Sequence, residues 1–178
     1  MKKSITLIAA LAGILFAMGG CSREQAKSQE KEQVTNQVGT QKNDQVRDDL
    51  AKYLSAESQA MKPWSSIDKM TDELTKAKSA KKYVSILRKE FVPLVTGVTS
   101  QMEAIKPATK EVQDIHNAYL SSIKEYLTGL KSMAEAVENN DNKLVSASEV
   151  KLNAFAAAHA KFLEETNALA NKNNIQTK

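Results

Sequence analysis

From Asp44 onward, apolar side chains recur at three- and four-residue steps almost without a break. Only an α-helix places such positions on one face, so this region is confined to amphipathic helices packed through a shared seam. Glycine usage agrees. Of six glycines in 178 residues, Gly13, Gly19 and Gly20 fall near the start, leaving Gly39, Gly97 and Gly129 for the rest of the chain. That is too few for a turn-rich β fold. The expected class is all-α: an elongated antiparallel bundle of about four helices with a kinked second helix.

The stripes divide the bundle. Val46, Leu50, Tyr53, Ala60 and Met61 form the apolar side of a first helix, which should end around Lys62 because Pro63 disfavours helical geometry in the residue before it. Trp64 takes the corner, and Ser65 or Ser66 is placed to cap the next helix, with Asp68 in its first turn. A long second stripe runs from Ile67 through Met70, Leu74, Val84, Phe91 and Met102 to Ile105. Pro93 interrupts its hydrogen-bond ladder, so a kink or break is expected near Lys89 to Phe91, with a second weak point at Lys76 to Lys82. Pro107 suits the first turn of a third helix whose stripe runs from Val112 to Val137. Asn139 to Asn142 makes a short turn into a fourth, with Leu144, Leu152, Phe155, His159, Phe162 and Leu169 on one side and several alanines allowing close approach. Helices of similar length joined by a short link form an antiparallel hairpin.

The N-terminal segment is of a different kind. Met1-Lys2-Lys3 is positive, and Ile5 to Met18 is a 14-residue stretch without charge. That is too short to span a bilayer as a permanent helix and has the pattern of a signal peptide. Met18-Gly19-Gly20-Cys21 resembles the lipobox of bacterial lipoproteins: an aliphatic residue, two small residues, then the cysteine that is acylated and becomes the new N-terminus. Met18 and Gly19 stand where leucine and alanine or serine are commoner. The resemblance implies that Cys21 is the lipid anchor and that residues 1–20 are removed. The residue count agrees, since Cys21 is the only cysteine and a solitary free thiol on an exported protein risks oxidation or intermolecular pairing. Residues 22–43 contain no aromatic, Leu or Ile, too little to bury. The expected organisation is a leader (1–20), a lipidated N-terminus and disordered polar tether (21–43), a helical bundle (44–172) and a disordered tail (173–178).

Charge and cysteine content narrow the chemistry. Of 25 basic and 21 acidic residues, loss of Lys2 and Lys3 with the leader leaves 23 against 21, which gives no electrostatic case for nucleic acid. One cysteine excludes an internal disulfide framework, a four-Cys zinc site and a C-x-x-C redox pair. Serine-hydrolase, P-loop, dinucleotide and H-E-x-x-H motifs are missing, so no enzyme is expected. His116 and His159, the only histidines, lie on or beside apolar stripes. A hairpin turning between residues 140 and 141 would separate them by about 9 Å along its axis, too far to share one metal readily, and neither completes a Glu-x-x-His pair. Hydrogen-bonded core packing is the favoured reading for both, no cofactor or metal is expected, and Met70, Met102 and Met133 read as gap-fillers.

Pro107 to Leu120 is similar to the start of a helical hairpin in small secreted proteins and lipoproteins of bacteria, which implies fold and export rather than a task. The expected function is a membrane-tethered, non-enzymatic interaction or structural module of the bacterial cell envelope, lipid-anchored outside the cytoplasm and partnered by an envelope protein. The alternative is a bundle that holds a small apolar ligand, haem or metal in its core through His116 or His159.

Overall fold

The computed structural model describes residues 37–175, with side chains from residue 43. The leader, the acylation motif at Cys21 and most of the expected tether lie outside the described residues. Of those described, 89% are helical and none is in a strand; taken as rods, the helices number four, one of them bent by 39°. The elements are α1 (Gln37–Ala60), a short 3-10 turn (Lys62–Ser66), α2 (Ile67–Thr75), α3 (Ala80–Ile86), a π-helical turn (Leu87–Phe91), α4 (Val92–Ala104), α5 (Lys110–Asn139) and α6 (Asn142–Lys172). Thus α1 starts at Gln37, inside the segment expected to be tether.

The first corner forms where Pro63 requires it, with the proline in the opening turn of the 3-10 segment. Neither expected serine cap is used: Ser65 Oγ donates to Lys62 O, and Ser66 is helical without a side-chain capping bond. The 3-10 turn runs directly into α2, so no extended residue is present to serve as a cap.

The long second stripe breaks at the lysine-rich weak point. α2 stops at Thr75, and α3 restarts after Ser79, whose extended backbone (φ −150°) lets its Oγ accept the N–H of Lys82. Ala77 stays buried across the gap. At the proline the helix instead continues by widening: Val92 N–H donates to Leu87 O, five residues back. Pro93, with no N–H to offer, then enters the first turn of α4.

Pro107 lies before the third long helix rather than in its first turn. Asp49 of α1 is the reason. Its carboxylate accepts the N–H groups of Ala108 and Thr109 (2.8 to 3.0 Å) and the Thr109 hydroxyl (2.7 Å), holding Thr109 extended as the N-cap. Burial pushes Asp49 upward, but these donors outweigh it and hold the carboxyl below its ordinary range.

The hairpin turn forms as expected, with Asn140 left-handed (φ 53°) and Asp141 accepting the N–H groups of Lys143 and Leu144. α6 packs tightly on α5 at Gly129, where a Cβ would sit 3.1 Å from Leu152 Cδ2 and from Lys151 Cβ. Beyond the expected end of the bundle, Asn173 is buried, its Nδ2 donates to Leu169 O, and Ile175 packs on the core.

Candidate functional site

The polar groups with the most unusual surroundings lie where α1 crosses the α5–α6 hairpin. Tyr119 and Phe162 face each other with ring centroids 4.0 Å apart, which confirms a hairpin centred between residues 140 and 141. Phe155 and Phe162 are buried, as their stripe requires. Their ring partners are Tyr119 and Tyr126 of α5, Tyr53 of α1 and Trp64 of the corner. α5 supplies two of these rings, and the other two, Tyr53 and Trp64, precede α2 in the chain.

The two histidines occupy separate positions in this cluster. His159 is half-buried and shares a 2.8 Å hydrogen bond through Nδ1 with the Tyr119 hydroxyl. His116 is buried and meets the edge of Tyr53, with centroids 5.6 Å apart. Burial lowers the pKa of both, with the nearby Lys106 charge a further cause at His116. Both are therefore neutral at neutral pH. Burial, and after it the charge of Glu57, raises the pKa of Tyr119 and of Tyr53, so the phenols stay protonated. The structure does not bring the histidines together around one point, and no group of three or more His, Cys, Asp or Glu side chains placed to hold a metal occurs among the described residues.

Glu57 belongs to this cluster and was not among the residues singled out from sequence. It is half-buried, and burial pushes its carboxyl up to about 7. The signal was present: position 57 continues the three- and four-residue steps of Leu50, Tyr53, Ala60 and Met61, so an acid there falls on the buried stripe. Three side-chain polar atoms of the same region are buried without a hydrogen-bond partner, namely the Tyr53 hydroxyl, His116 Nδ1 and Thr166 Oγ1.

An open groove of about 560 Å³ lies between the C-terminal end of α4 and α5, lined by His116, Leu120 and Lys106 among others. A 2.7 Å ion pair between Lys124 and Glu103 joins its two sides. No helix among the described residues is long and apolar enough to cross a membrane.

Comparison with known proteins bears on the whole chain. A family model described as EMYY-motif containing lipoprotein matches residues 1–176. The chain itself carries no Glu-Met-Tyr-Tyr run. No curated protein and no solved structure matches it.

Proposed function

We propose, since the chain belongs to the family of EMYY-motif containing lipoproteins, that it is a non-enzymatic interaction module of the bacterial cell envelope. As a member of that family it is an exported, lipid-anchored protein. In this reading Cys21 carries the lipid, residues between Cys21 and α1 are the spacer, and the bundle is the working part.

The observation that carries the reading is the outer side of α6. This 31-residue helix lies along α5 and leaves Val150 70% exposed, with Ala147, Ala154 and Ala157 exposed around it. Small side chains at helical spacing let a partner helix approach closely, and Val150 offers it an apolar anchor. The titratable groups of the interior give complementary support. The phenols of Tyr53 and Tyr119 are protonated and the imidazoles neutral, and their rings pack between helices.

Site-specific photocross-linking in intact membranes tests this. A photoreactive residue at position 150 of the full lipoprotein should give an adduct of discrete size, and one at the exposed position 78 should not. No adduct at 150, or equal adducts at both, would overturn the proposal.

A further inference from the structure

The contact between α1 and the hairpin holds polar groups where apolar ones would serve it better. Ring contacts fix how the helices lie. Tyr53 meets His116 and Phe162, and Trp64, just past the end of α1, meets Tyr126 and Phe155. α1 therefore runs parallel to α5 and antiparallel to α6, and Glu57, one turn after Tyr53, comes level with Tyr119 and His159. Among the described residues no lysine or arginine pairs with the Glu57 carboxylate. The unpartnered Tyr53 hydroxyl, His116 Nδ1 and Thr166 Oγ1 belong to the same contact, one from each of the three helices. Against these stands the Asp49 clip on Ala108 and Thr109, which fastens the earlier part of α1.

We propose that α1 is a proton-controlled strap: its second half grips the α5–α6 hairpin while the Glu57 carboxyl is protonated and loosens when that carboxyl ionises. The sign follows from linkage. Glu57 has a folded pKa of about 7 against an ordinary 4.5. The docked state therefore binds the proton more tightly than the released one, and docking weakens as pH rises from about 4.5 through about 7. The groups facing Glu57 do not neutralise its charge. Tyr53 on α1 and Tyr119 on α5 are held protonated, and His116 on α5 and His159 on α6 are held neutral, so none supplies a positive charge above pH 7. The imidazoles set the acid limit. Their lowered pKa values mean that docking also weakens as pH falls below about 6.5, where the released histidines take up protons. Below about pH 6.5 the two effects oppose each other, so the contribution of Glu57 is read against a variant that lacks its carboxyl.

Amide hydrogen exchange by mass spectrometry on the full lipoprotein in detergent micelles tests the strap, with rates corrected for the intrinsic effect of pH. Between about pH 6 and about pH 8.5, the opening of peptides covering residues 50–60, taken relative to α5 peptides and to the same ratio in Glu57→Gln, where only the imidazoles titrate, should rise roughly tenfold. One pKa unit corresponds to a factor of ten, and partial exposure screens the rest. Glu57→Gln is nearly isosteric, and Glu57→Leu takes its place as the reference if the glutamine variant folds poorly. The same pH dependence in wild type and in both variants, or equal opening of α5 and α6, would each overturn the proposal.

Discussion

Asp49 shows how one side chain sets the relation between two helices. Its carboxylate serves as an N-terminal cap for α5 although it resides on α1, so it joins capping and tertiary packing in one contact. Asp49→Ala should lower stability by about 1–2 kcal/mol, the range for loss of a good cap, as read by urea titration at neutral pH. Because the folded pKa of Asp49 is depressed, its contribution is present above the unfolded value and disappears as pH falls through the folded one. The difference between wild type and mutant should therefore shrink in acid. Tyr119 and His159 form the other discrete pair. Tyr119→Phe and His159→Gln should each cost about 1 kcal/mol, and the double mutant should cost less than the sum, since the second change removes a group already unpaired. Strict additivity in urea titrations would mean that the 2.8 Å contact contributes nothing.

At the level of elements, the aromatic face of α6 accounts for much of the bundle's cohesion. Phe155→Ala and Phe162→Ala should each cost about 3–5 kcal/mol, because each empties a site lined by rigid rings that cannot collapse into the space. A cost near 1 kcal/mol in urea would show that the seam repacks freely. Gly129→Ala should also destabilise. Its methyl would meet Lys151 Cβ, which is fixed to the α6 backbone, so overpacking of about 1–3 kcal/mol exceeds the helix-propensity gain of about 1. Thermal melts check this, and a raised midpoint would refute it. These elements also show what was legible in the sequence. Helix periodicity and the Asn139–Asn142 turn fixed the hairpin register, hence the faces of Phe155, Phe162 and His159, because they depend on local spacing. Pro93 marked the distortion around Leu87–Phe91, though not that it would be a π turn. The position of α1 was not legible, since nothing local tells which stripe its own stripe meets. With it went the capping role of Asp49, the cost of burying Glu57, and the reason Pro107 lies outside α5.

For the whole molecule, the decisive question is how the bundle stays at a membrane. The described helices offer no segment able to cross one, and residues 1–20 are the part expected to be cleaved. Membership of the lipoprotein family makes the anchor a lipid, and in the proposed reading Cys21, the only thiol in the chain, carries it. Each buried methylene contributes about 0.8 kcal/mol, and a single acyl chain gives only reversible binding, so lasting attachment needs more than one chain. The sixteen peptide units between Cys21 and Gln37 reach at most about 58 Å when fully extended, which keeps the bundle near the bilayer. If Cys21 carries the lipid, as proposed, Cys21→Ala takes the attachment point away without touching the helical body. The variant should therefore move from the membrane fraction to a soluble or unprocessed exported form, while its helical content by circular dichroism stays unchanged. A correctly cleaved Cys21→Ala protein that still sediments with membranes through a high-salt wash would require an anchor elsewhere in the chain.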